Sequence, residues 1–131
     1  MKFKVSIYVI AIAGLLLVGD SAYAHHGNSA YDEERTVTIT GTVTEFDFVN
    51  PHTQIFMDVK DNKGNVVHWA VESQSPGIMR RNGWSRASLQ PGDQITVTLN
   101  PAKNGAPVGF SGKKSGKVMF SDGRELMMDA R

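Results

Sequence analysis

The chain has 131 residues, 14 Lys and Arg against 13 Asp and Glu, and no cysteine. Near neutrality excludes the basic surface that nucleic-acid binding needs to displace phosphate counterions, and gives no reason for docking on anionic lipid. Without cysteine there are no disulfides, thiolate metal sites, thiol nucleophile or lipid-bearing cysteine, so a hydrophobic core alone must hold the fold.

The first element is a leader. Lys2 and Lys4 precede an apolar run over residues 5–18, and Ala22-Tyr23-Ala24 is a small-residue exit. This order is that of a secretory signal peptide, and the apolar run is too short for a good spanning helix. Cleavage after Ala24 predicts a mature chain of residues 25–131, starting at His25. The leader carries Lys2, Lys4 and Asp20, so the mature chain has 12 basic and 12 acidic residues. A soluble, monomeric or weakly associating protein in the bacterial periplasm or outside the cell is expected. A free α-amine next to an imidazole can chelate one metal ion, so processing itself creates a candidate site.

Residues 25–35 are polar and read as an N-terminal arm, and residues 36–131 read as one domain. From Thr36 the chain alternates, with Val37, Ile39, Gly41 and Val43 on one face and threonines on the other. That is a half-buried strand. Phe46 and Phe48 continue in the opposite phase, which predicts a bulge near Thr44-Glu45. Asn50-Pro51 is a turn. Ile55, Met57 and Val59 define a second strand, residues 61–64 a hairpin turn, and Val67, Trp69 and Val71 a third strand. Ser75-Pro76 caps a short helix that stops near Gly83, with Trp84 packing beyond it. Pro91-Gly92 leads into a strand over 94–99. Residues 101–116 are rich in Gly, Pro and Lys and read as a mobile loop. Residues 117–120 and 125–128 flank a second hairpin turn. Three strands, a short helix and further strands give an all-β fold with one short helix, in the order of a small OB-like β-barrel. A generic barrel of different strand order is the competitor.

The histidines are His25, His26, His52 and His68. Placing both central strands on one core face pairs Asp61 with Asn65, sets Asp58 opposite His68 and puts His52 near Gln74. His52 and His68 then lie six residues apart along the ribbon, about 20 Å at ~3.3 Å per residue, too far for one ion. His68 is a cross-strand partner of Asp58 or a solvated residue. His52 follows the Asn50-Pro51 turn, at the barrel end where the third strand finishes with Glu72 and where Asp47 points outward. The arm could fold back to bring the amine, His25, His26 and His52 together. Nitrogen-rich, sulfur-free ligation suits Cu(II), with Zn(II) and Ni(II) next. The plain alternative is a frayed terminus and a His52 that only caps its turn.

Other groups carry less. Ser75 and Ser29 have no spaced His and Asp to form a triad. Asp32-Glu33-Glu34 reads as a solvated acidic run. Trp69 and Phe56 could stack a ligand, but Trp69 falls in the core phase. Arg80-Arg81 and Lys113-Lys114 lack aromatic interleaving. With no nucleophile–base pair, paired carboxylates or phosphate loop, a non-enzymatic role is expected. If no metal binds, residues 101–116 and the Asn50-Pro51-His52 turn would form the rim of a module that binds a small molecule, a glycan or an envelope protein.

His25-His26, Gly41-Thr42-Val43, Asn50-Pro51-His52, Trp69 with Glu72, Gly83-Trp84, Leu89-x-Pro91-Gly92-Asp93 and Asp122-Gly123-Arg124 occur in this order. Together they resemble a family of small exported bacterial proteins known only as a domain of unknown function. The resemblance spans the mature chain and implies export and a single β-rich domain, with no established activity or cofactor. Members usually begin His-His-Ser, where this chain has Gly27.

Overall fold

A computed structural model describes residues 30–112 and 116–129. The leader, His25 and His26 lie outside the described residues. No helix among them is long and apolar enough to cross a membrane.

Strand β1 (Val37–Asp47) is long and does two jobs. Its first part, Val37 to Thr42, pairs antiparallel with β4 (Gln94–Pro101), and its second part, Thr42 to Asp47, pairs antiparallel with β2 (Gln54–Lys60). The register slips between Val43 and Glu45, so the expected bulge is present. It turns the phase so that Val43 before it and Phe48 beyond it are both buried. Threonines on the outer face pair across to β4, with Thr40 and Thr96 hydroxyls 2.9 Å apart.

The hairpin of β2 and β3 (Val66–Glu72) has the predicted register. Asp61 N–H donates to the Asn65 carbonyl at 2.9 Å, Gly64 adopts φ 83°, and Asp58 stands opposite His68. A short helix α1 (Pro76–Arg80) follows. Ser75 is its N-cap and Pro76 opens it. Gly83, at φ 87°, ends the turn after it, so Trp84 folds under the barrel, 2% exposed, with its indole N–H donating to the Met127 carbonyl at 2.8 Å.

The reading of residues 101–116 as a mobile loop is corrected. Within it lies β5 (Val108–Phe110), which runs parallel to β3 and antiparallel to the last two residues of β4. A barrel strand of three residues centred on glycine has no hydrophobic period to betray it. A Cβ on Gly109 would stand 2.4 Å from Leu99 Cδ1, so the glycine that looked like loop composition is what lets β5 lie against β4. Ser111 N–H donates to the Glu72 carbonyl and Ser111 Oγ to the Thr98 carbonyl, fixing the end of the strand on both neighbours.

The order β1-β2-β3-β5-β4, closed by β4 on β1, makes a five-stranded barrel. The parallel β3–β5 contact and the helix between β3 and β4 are those of the OB-type order. The hairpin β6 (Lys117–Phe120) and β7 (Glu125–Met127) is an addition, laid on the side of β4 that β1 leaves open. Ile55, Met57, Val71, Ile95, Val97 and Leu99 fill the barrel, while Met79, Trp84, Leu89 and Met128 plug one end.

Candidate functional site

His52 sits where the β1–β2 connection joins the β2–β3 ribbon. The Asn50–Pro51 peptide is cis. Directly after His52, Thr53 N–H donates to the Gln74 carbonyl at 3.1 Å, and Ser73 N–H donates to the Thr53 carbonyl at 2.9 Å. These bonds extend the ribbon beyond β2 and hold the backbone on which His52 stands. Across the same ribbon Gln54 pairs with Glu72, and Asp47 pairs with Gln54. Residues directly opposite share a face, so Asp47, Gln54 and Glu72 form one outward row beside the turn.

The Glu72 carboxylate binds two donors. Oε1 pairs with His52 Nδ1, and Oε2 accepts from the Tyr31 hydroxyl at 2.7 Å. A carboxylate that only accepts takes its proton from Nδ1, and in the neutral imidazole Nε2 then carries the lone pair. The His52 side chain is 48% exposed, the Glu72 side chain 29%. The histidine thus presents Nε2 from a base that is anchored but open to solvent.

Tyr31 belongs to the arm, and the described part of the arm is docked. Its backbone bridges to Ala102. Asp32 N–H donates to the Pro101 carbonyl at 2.8 Å, and Lys103 N–H donates to the Ala30 carbonyl at 2.9 Å. One side chain secures the next turn: the Asn100 amide, 6% exposed, donates to the carbonyls of Arg35 at 2.7 Å, Asp32 at 3.2 Å and Glu33 at 3.4 Å. The Tyr31 ring packs on Phe110, centroids 5.9 Å apart. Phe110 is the cross-strand neighbour of Glu72, so the ring that rests on one delivers its hydroxyl to the other. Burial first, then the hydrogen bond and the charge of Glu72, push that hydroxyl well above the ordinary phenol range. Tyr31 stays a proton donor.

Of the predicted site residues, His52 stands half-exposed beside Glu72, and His25 and His26 lie outside the described residues. His68 is elsewhere: its Nδ1 pairs with Asp58 at 2.6 Å on an exposed part of the ribbon, with the imidazole side chain 83% exposed. Among the described residues, no three His, Asp or Glu side chains form a group able to hold a metal. His52 would need ligands from outside them. Four residues lie between His26 and Tyr31, and the five steps span at most ~17 Å when extended.

Tyr31 and Asn100 were not singled out from sequence. The available signal for Tyr31 was an aromatic residue inside an otherwise polar arm. Asn100 looked like the residue after a strand, and nothing local marks it as a clamp.

A second feature lies further along the ribbon. An open depression of about 300 Å³ is lined by Phe56, Trp69, Ala70, Pro107 and Val108, with His68 at its edge. Trp69, read as a core residue, does pack against the core, and it also contributes to this depression.

No curated protein compared with the chain matches it. A family model does match, over residues 13–111, a span that takes in all five barrel strands and stops before the β6–β7 hairpin. The chain belongs to this family of unknown function, DUF6152.

Proposed function

We propose that this protein is exported through the leader at residues 1–24 and serves as a non-enzymatic binding protein for one Cu(II), held at the barrel rim. The ligands are the α-amine and imidazole of His25, with His26 or His52 completing the set. Zn(II) is the second choice for such nitrogen donors. The observation that carries this reading is the pairing of His52 Nδ1 with Glu72. Metal-binding histidines are typically oriented by a carboxylate on the nitrogen that does not bind. The docking of the arm at Tyr31 adds to it, since a tethered terminus loses less freedom on closing the chelate.

The test is a Cu(II) titration, by calorimetry or spin resonance, of protein secreted and processed by its native host. Intact mass should first show a start at His25. One equivalent should bind more tightly than the micromolar level reached by a flexible His-His peptide, about −8 kcal/mol. One extra residue ahead of His25 should abolish it. Absence of stoichiometric binding at that level sinks the proposal.

A metal-independent module is the alternative, favoured by the depression beside Phe56 and Trp69. OB-type barrels bind ligands on this strand 2–3 face and its neighbouring loops. Such binding would survive the extra N-terminal residue.

A further inference from the structure

The bulge in β1 decides where two carboxylates point. Unbroken alternation from Val43 would turn Glu45 and Asp47 into the barrel, and the slip between Val43 and Glu45 turns both to the outer face. There Glu45 stands opposite Phe56, Phe56 opposite Ala70, and Ala70 opposite Val108, one row across four strands. The row on one side is Asp47, Gln54, Glu72 and Phe110, and on the other Thr42, Asp58 and His68. Ala70 is the smallest side chain of its row. The depression of about 300 Å³ opens over it, with Glu45 and Phe56 among its walls. We propose that this face docks an extended basic segment of a partner protein, with one Lys or Arg side chain seated in the depression beside Glu45 and a second beside Asp47. This inference rests on the metal-independent reading above and names the chemistry of its ligand.

The three rows hold four carboxylates, those of Glu45, Asp47, Asp58 and Glu72, and no Lys or Arg. Among the described residues none of the four pairs with a Lys or Arg side chain. Asp58 meets an imidazole, Glu72 an imidazole and a phenol, and the Glu45 and Asp47 side chains have no hydrogen-bond or ion-pair partner there. Acidic residues are depleted in strands, and like charges on neighbouring positions of a sheet repel. The sheet therefore carries an excess of negative charge that it does not neutralise itself. The chain as a whole, with 14 Lys and Arg against 13 Asp and Glu, has no such excess, so attraction for a cation is local to this face. The sign of the charge excludes a polyanion, and a neutral ligand would leave the carboxylates unused. A basic side chain uses both features. Its aliphatic stem covers apolar surface such as Ala70 and Val108, and its charged head reaches an aromatic ring and a carboxylate together. Alternate side chains of an extended peptide lie about 6.6 Å apart on one side, which is also the spacing between rows of the sheet. A second basic residue two positions along thus meets Asp47.

The test is a titration of the processed protein with a capped peptide of alternating Arg and Ser. Amide shifts should move at Glu45, Phe56, Ala70 and Val108. Indole emission should change too, because Trp69 lines the depression while Trp84 is buried. Glu45→Gln and Asp47→Asn should each weaken binding about two- to fivefold, the range for exposed ion pairs. Ala70→Leu fills the floor, keeps every charge and should abolish binding. The other two variants carry the test if it fails to fold. Asp122→Asn removes the same charge from the turn between β6 and β7 and should bind like the parent. No shift on this face with the peptide overturns the inference, as does full binding by Glu45→Gln and Asp47→Asn or an equal loss in Asp122→Asn. If a neutral chito-oligosaccharide moves these amides and the peptide does not, the inference fails and the metal-independent reading stands. Absence of shifts with either overturns the inference and takes from that reading the support of this depression.

Discussion

A Cβ placed on Gly41 would lie 2.1 Å from the carbonyl oxygen of Asp58. Gly41 is in the part of β1 that pairs with β4, and one residue later Thr42 pairs with both Gln94 of β4 and Asp58 of β2. Here β1 passes from one neighbour to the other, and the backbones approach more closely than any side chain permits. Barrel closure thus depends on this glycine. Gly41→Ala must displace backbone, and should cost about 1–3 kcal/mol, the range for overpacking. Gly77, whose nearest added contact is Ser75 Oγ at 3.9 Å, is the control: Gly77→Ala should be neutral or stabilising by up to ~1 kcal/mol. Urea unfolding of both variants checks the contrast.

Asn100 holds the arm rather than the barrel. Asn100→Ala removes the amide from which the Arg35 carbonyl accepts at 2.7 Å, which should cost about 1–3 kcal/mol. The loss should be local. Hydrogen exchange at the Asp32 and Lys103 amides should quicken most, while the amides of Val97 and Val71 in the barrel keep their relative protection. Uniform acceleration across the barrel would contradict the assignment of Asn100 as a clamp on the arm.

Tyr31 is the only tyrosine after residue 24, so tyrosinate absorbance of the processed protein reports it alone. Its folded pKa is raised above the unfolded value near 10, by burial first and then by Glu72. A group raised in this way adds stability that is complete below about pH 10 and is lost as pH rises from there toward the folded value. The native titration should therefore start well above pH 10 and coincide with alkaline unfolding. Glu72→Gln should lower the midpoint. In Tyr31→Phe the alkaline loss of stability should shrink, as read from Tm between pH 8 and 11.

Metal binding should separate the two exposed histidines. His52→Ala should weaken Cu(II) at least tenfold, about 1.4 kcal/mol, whereas His68→Ala should leave it unchanged. Binding needs a deprotonated amine and neutral imidazoles, so affinity should fall as pH drops through the histidine range near ~6.5. Titrations at pH 7.5 and 5.5 on both variants measure this. Equal losses for His52→Ala and His68→Ala would remove the rim as the site.

Local chemistry determined much of this protein. The alternation of Val37, Ile39, Gly41 and Val43, followed by Phe46 and Phe48 out of phase, specified β1 and its bulge because a strand has a period of two and a bulge inverts it. The turn at residues 61–64 set the β2–β3 register, and with it the Asp58–His68 pair, because turn length dictates pairing in a hairpin. Ser75-Pro76 marked the helix start by supplying a side-chain acceptor and a preset φ.

Tertiary structure decided what lay between distant segments. Val108–Phe110 became a barrel strand because β3 and β4 offered it unpaired backbone groups, a reward that three residues around a glycine cannot show by themselves. The meeting of Tyr31, Glu72 and His52 has the same origin. His52 and Glu72 could be placed at one barrel end from the strand pattern, but only closure of the barrel and docking of the arm under Asn100 bring a phenol, a carboxylate and an imidazole onto one line of hydrogen bonds.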